Sequence, residues 1–137
     1  MKNFLVLAVV LTLVGCTTHP IATNQATDVP TERVSVKSFI LAGSGKGSVI
    51  IKRDSGHVGN ACYTKLFLDG KEIAQIDVAE KITLHPMIGE HIIGAEPKGL
   101  CGGSMSELTI NVTSEKVLTY RVGYDSGVIF GLRPTAF

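Results

Sequence analysis

The sequence predicts an all-β fold, a small antiparallel β-sandwich of about seven to eight strands, on three observations. Downstream of Cys16 apolar residues recur at alternate positions in short runs, no stretch there sustains a helical period, and the runs are separated by glycine-rich connections. Each run therefore has one apolar face to bury, and a second sheet is the layer that buries it.

The chain of 137 residues opens Met1-Lys2-Asn3 and continues with an apolar run from Phe4 to Val14. A positive start followed by about eleven apolar residues has the length of a signal peptide and covers only about half of a ~30 Å hydrocarbon core. Residues 1–15 are thus expected to be an export signal. Leu13-Val14-Gly15-Cys16 resembles the bacterial lipobox. That resemblance implies a lipoprotein. The Cys16 thiolate takes a diacylglyceryl group as a thioether, the peptide bond before it is cut, and the new amino terminus receives a further acyl chain such as palmitate. Two or three chains hold a protein on a membrane stably where one holds it marginally. In Gram-negative bacteria an Asp after the lipidated cysteine resembles an inner-membrane retention signal. Thr17 stands there instead, which favours the outer membrane, facing the periplasm.

Residues 16–33 are expected to form the lipidated N-terminus and a flexible linker, because TTHPIATNQATDVPTER is rich in Thr, Pro, Asn and Gln and lacks periodicity. The domain is then expected over 34–137. Its strands begin with GSVIIKR (Gly47 to Arg53) and CYTKLFL (Cys62 to Leu68). Asp69-Gly70 and KEIAQI follow directly, and Asp-Gly between two such runs is the strongest short hairpin signal, since a type I′ turn needs positive φ at both central residues. KITLH and EHIIGAE are expected to make a second hairpin around Pro86 to Gly89. Leu108, Ile110 and Val112 alternate with Thr109 and Asn111, and Leu118, Tyr120 and Val122 with Thr119 and Arg121. VIFGLR, Val128 to Arg133, closes the series.

LFLDGKEIAQI followed by TLHPMIGEHIIGAE is similar to the repeating core of PEGA-type domains and of small Ig-like or transthyretin-like envelope lipoproteins. In those, a strand ends in Asp-Gly-Lys and a later Pro-Gly-x-His turn starts the next strand. The resemblance covers Gly47 to Val122 and implies the sandwich fold more than any one role. Ile88 stands where the Pro of that turn would be, and the cysteine pair lies outside the general pattern.

Thirteen Lys and Arg against twelve Asp and Glu give a formal net charge of +1, with no electrostatic footprint for nucleic acid and no polybasic patch for an anionic surface. Besides Cys16, only Cys62 and Cys101 carry thiols; in an exported chain these two are expected to pair, closing a loop of about 40 residues. AGSGKGS, Ala42 to Ser48, fails as a phosphate loop: Ile40 holds the place of the first Gly, and Gly47 that of the Ser or Thr after the lysine. His85 and His91 flank one expected turn, but no thiolate or carboxylate completes a metal set, so no metal and no cofactor are expected. No nucleophile and base stand together, and no enzyme is expected. Three glycine-rich loops remain: RDSGHVGNA, PKGLCGGSM and YDSG. The bridge would tie the first two together, making His57, Asn60, Lys98 and Met105 the candidate binding residues, toward an envelope protein or a cell-wall partner. The expected function is a lipid-anchored envelope protein with a binding or structural role. The alternative is an inhibitor of a cell-wall hydrolase of the lysozyme type.

Overall fold

A computed structural model describes residues 18–126 and 128–137. Its strands are β1 (Thr18–His19), β2 (Thr27–Asp28), β3 (Ser48–Arg53), β4 (Ser55–Gly56), β5 (Thr64–Leu68), β6 (Lys71–Ile76), β7 (Glu80–Leu84), β8 (Gly89–Pro97), β9 (Ser106–Val112), β10 (Val117–Asp125) and β11 (Ile129–Pro134). They form a five-stranded sheet, β11-β10-β3-β7-β2, a four-stranded sheet, β6-β5-β8-β9, and a two-stranded ladder, β1-β4. The fold is a small β-sandwich, as the alternating runs predict.

The alternation decides which side chains meet between the sheets. Val49 and Ile51 of β3, Ile82 and Leu84 of β7, Val122 of β10 and Leu132 of β11 project from one sheet. They meet Leu66, Leu68, Ile73, Ile76, Ile93, Ala95, Ile110 and Val112 of the other in one buried cluster. The β5–β6 hairpin turns at Asp69-Gly70 with φ of 50° and 78°, the positive pair that a type I′ turn requires. A register shift in β6 leaves both Ile73 and Ala74 buried, the local effect of a bulge.

Two features differ from the sequence expectation. KITLH and EHIIGAE do not form a hairpin: β7 pairs with β3 and β2, whereas β8 pairs with β5 and β9, so the Pro86–Gly89 connection crosses from one sheet to the other. The pairing is also mixed, since β10 runs parallel to β3 and β2 parallel to β7. A parallel partner needs a crossover, and between β3 and β10 the chain makes it through the facing sheet, returning from β9 over the Val112-to-Val117 connection.

Of the segment read as a linker, the described residues 18–33 pack on the domain. Residues 18–29 run across the outer face of the five-stranded sheet, and residues 29–40 close the gap between its β2–β7 edge and β6. Val29 and Val34 are buried in the core, with Val36, Phe39 and Ile40 packed against it, and the Ser35 amide donates to the Ile73 carbonyl at 2.8 Å. The opposite side is closed by β9 against β11, where Ser106 Oγ accepts from the Leu132 amide at 3.0 Å.

Candidate functional site

β3, β7 and β10 alternate, so the residues between their core positions point outward, and the outward face of this sheet carries Lys52, Lys81 and Arg121 in register, with Asp54 beyond the end of β3. Left in water such a row would be an ordinary charged surface. Here the N-terminal segment roofs it. Lys52, 1% exposed, donates to the main-chain oxygens of Ile21, at 2.8 Å, and Phe137. Lys81 donates to the carbonyls of Thr23 and Ala26 at 3.1 and 2.8 Å and lies 3.7 Å from Asp28. The Thr18 hydroxyl donates to the Tyr124 carbonyl at 2.8 Å and accepts from the Tyr124 amide at 3.0 Å. A strap is thus fixed at three places: two lysines satisfy its carbonyls, as buried carbonyls require, and its own Thr18 side chain bonds the main chain of β10. Composition misses this because the donors lie on strands far along the chain.

Asp54, 2% exposed, accepts from Arg121 at 2.6 Å through Oδ2, while Oδ1 has no partner among the described residues. Burial pushes its carboxyl up, against the opposing pull of Arg121.

The antiparallel register of β1 with β4 sets Thr18 opposite Gly56 and His19 opposite Ser55. β3 and β4 run toward the loop that starts at His57, so the described chain begins at that end of the sandwich. Three connections gather there: residues 57–63, residues 98–105, and the turn between β10 and β11, where the Val128 amide donates to the Asp125 carbonyl. Cys62 and Cys101 are disulfide-bonded and join the first two. Arg53, buried beneath them, donates to the carbonyls of Cys62 and Gly59, each at 2.6 Å, and of Ile76 at 3.1 Å. Tyr124 completes the assembly: its hydroxyl donates to the Gly102 carbonyl at 2.8 Å, its ring meets Phe130 edge-on at 5.3 Å, and it lies over Gly59. A Cβ on Gly59 would stand 2.6 Å from that ring, at a backbone φ of 71°, so glycine is required there twice over. An open cleft of about 290 Å³ separates the loops, lined by Val58, Gly59, Cys101, Gly103, Tyr124 and Val128.

The candidate binding residues separate on this frame. His57 and Asn60 are exposed on the first loop. Lys98 is exposed and donates to the Gln75 side chain at 3.0 Å, beside the second loop. Met105 lies instead over Gly94 and Phe67 on the outer face of the four-stranded sheet, away from the cleft. Sequence reasoning missed the apolar rim of the third connection, where Val128 and Ile129 are 74% and 62% exposed; together with a fully exposed Leu100 they crown this end. The only sequence signal was an apolar pair directly after a glycine turn, which reads equally well as a strand start.

Cys16 lies outside the described residues, and among those described no helix is long and apolar enough to cross a membrane. His85 and His91 do not face each other across a turn. His85 Nδ1 lies 3.2 Å from Ser48 Oγ and 3.1 Å from the Gly47 carbonyl, whereas His91 lies against Asp69 and Met87. The larger open groove, about 620 Å³, lies along the start of β10 and the end of β11, away from the disulfide. No family model, no curated protein and no solved structure matches the chain.

Proposed function

We propose that this chain is a lipid-anchored protein of the bacterial envelope, on the outer membrane facing the periplasm, whose sandwich works as a binding or structural module and not by catalysis. The observation that carries this reading is Leu13-Val14-Gly15-Cys16 at the end of a short apolar run, where a thiol is required for a thioether to lipid. The Cys62–Cys101 disulfide supports it, because such a bond persists in an oxidising compartment outside the cytosol. Binding is assigned to the end that carries residues 57–63 and 98–105. There a disulfide, Arg53 and Tyr124 hold the loops in place before any partner arrives, which lowers the ordering cost of an encounter.

Labelling growing cells with radioactive palmitate tests the anchor. The native chain is expected to take up label, and the Cys16→Ser chain to remain an unlabelled, unprocessed precursor. Equal labelling of both would overturn the assignment.

The alternative, inhibition of a lysozyme-type hydrolase, is favoured by one feature: Leu100 is fully exposed on a disulfide-held loop, the shape of a side chain that enters an enzyme cleft. Peptidoglycan clearing by lysozyme, with and without the full chain, separates the two. Inhibition that disappears in Leu100→Asp would establish the inhibitor.

A further inference from the structure

We infer that the end of the sandwich carrying the disulfide rests on the membrane itself, with Leu100, Val128 and Ile129 seated in the lipid interface. The inference rests on the proposed lipidation of Cys16 and names the partner of the loop end.

Three observations carry it. The first is the length of chain between lipid and domain. Cys16 lies two positions before Thr18, and two residues span at most ~7 Å even when fully extended. Thr18 is not slack: it is paired with Gly56 and bonded through its hydroxyl to both main-chain groups of Tyr124, and the strap behind it is held by Lys52 and Lys81. From Thr18 onward the length that composition assigns to a flexible tether is therefore spent on the surface of the domain, and only the two steps from Cys16 to Thr18 are left to separate domain from bilayer.

The second observation is direction. Because β1 is antiparallel to β4, the described chain begins beside the loop that follows Gly56, so the acyl chains would leave the molecule at this end and no other. The third is chemistry. Leu100 is fully exposed, Val128 and Ile129 are 74% and 62% exposed, and all three stand at this end. An apolar rim of this kind is seated by a hydrocarbon boundary, and the adjacent exposed Lys98 suits a phosphate headgroup. The one carboxylate of the third connection, Asp125, is neutralised by Arg133 at 2.8 Å and Arg121 at 3.8 Å, so it does not repel an anionic surface. Exposed apolar residues also occur at the opposite end, at Leu41, Met87, Ile88 and Val117. They lie the length of β3 and β4 away, roughly 25 Å at ~3.3 Å per residue, beyond the reach of the anchor.

The chain contains no tryptophan, so a single substitution places a unique reporter. Full-length chains carrying Leu100→Trp, Val128→Trp or Ile88→Trp are purified from the bacterial envelope. Each is reconstituted in phosphatidylethanolamine and phosphatidylglycerol vesicles, with and without brominated acyl chains. The Trp at positions 100 and 128 is expected to emit at shorter wavelength than in detergent-free buffer and to lose most of its intensity to bromine, while that at 88 keeps its intensity. Quenching at 100 and 128 no greater than at 88, in protein whose intact mass includes the lipid on Cys16, would overturn the seating and leave the lipidation reading standing. An intact mass without lipid would overturn the lipidation reading, and the seating with it. All three sites are exposed, so the substitutions test placement without disturbing the core.

Discussion

Both ring nitrogens of His91 face oxygen: Nδ1 lies 2.7 Å from Asp69 Oδ2 and Nε2 lies 2.7 Å from the Met87 carbonyl. A carbonyl only accepts and an ionised carboxylate only accepts, so the arrangement suits an imidazolium that donates twice. Burial pulls the His91 pKa down, but the hydrogen bonds to Asp69 and Met87 outweigh it and the net direction is up. For Asp69, burial pushes up and is outweighed by the bonds from His91 and the Ile92 amide, so its carboxyl is held below its ordinary value. The signs follow from linkage. The His91 contribution is complete below its unfolded pKa of about 6.5 and is lost as pH rises through the raised folded value; the Asp69 contribution is present above about 3.9 and is lost as pH falls through the depressed one. The pair is partly exposed, so it is worth no more than ~1 kcal/mol. The melting temperature of the native chain should therefore exceed that of His91→Gln by a few degrees near pH ~5, with the gap closing as pH rises toward ~9. A gap that does not change with pH would contradict the charged pairing. Asp69 was legible in the sequence as a turn residue, because Asp-Gly is a local signal. Its bond to His91 was not, because β5 and β8 pair only in the tertiary fold.

At the scale of elements, the strap over residues 18–29 is the departure with the largest consequence. Nothing in its composition requires order, and its own side chains contribute little: only Ala26 and Val29 are buried. Beside the short β2–β7 ladder, it is held because Lys52 and Lys81, facing each other in register on β3 and β7, point their ammonium groups at its carbonyls. For Lys52, burial lowers the pKa, and the main-chain oxygens of Ile21 in the strap and of Phe137 are what make a buried ammonium tolerable. Replacing both lysines with Ala leaves those carbonyls without donors, at about 1 to 3 kcal/mol for each buried group. Amides of residues 25–27, bonded to Ala22 and Ala79, should then exchange with solvent deuterium much faster, while those of β5 and β8 keep their protection. Unchanged exchange at 25–27 would show that the lysines do not hold the strap.

For the molecule as a whole, the disulfide joins the far ends of a long loop, Cys62 to Cys101, 39 positions apart. Closing such a loop removes about 4 kcal/mol of unfolded-state freedom in the chain-entropy account. Each kcal/mol moves the midpoint of a domain this size by about 4 to 8 °C, so reduction, or the paired change Cys62→Ala and Cys101→Ala, should lower it by more than ~10 °C. A fall smaller than ~3 °C would mean that the loops are held by Arg53 and Tyr124 without the bridge. The bridge also links the loop entering β5 to the loop leaving β8, neighbours in the four-stranded sheet, and so couples the integrity of the loop end to that of this sheet.

The sequence by itself determined the longer strands, β3 and β5 to β11, the side of each that faces the core, the type I′ turn at Asp69-Gly70 and the two cysteines available to pair, but not the short β1, β2 and β4. These are local matters: alternation is a period of two along one strand, and a positive φ is a property of the residue that adopts it. Only the tertiary structure decided which strand lies beside which, since any run offers the same backbone donors and acceptors to any neighbour. That is why KITLH and EHIIGAE separate into different sheets, and why β10 lies parallel to β3. It also decided that a Thr- and Pro-rich stretch is bound to the domain and starts beside the disulfide-held loops. Those facts depend on lysines, a tyrosine and a backbone register from distant parts of the chain, brought together only when the two sheets close on their common core.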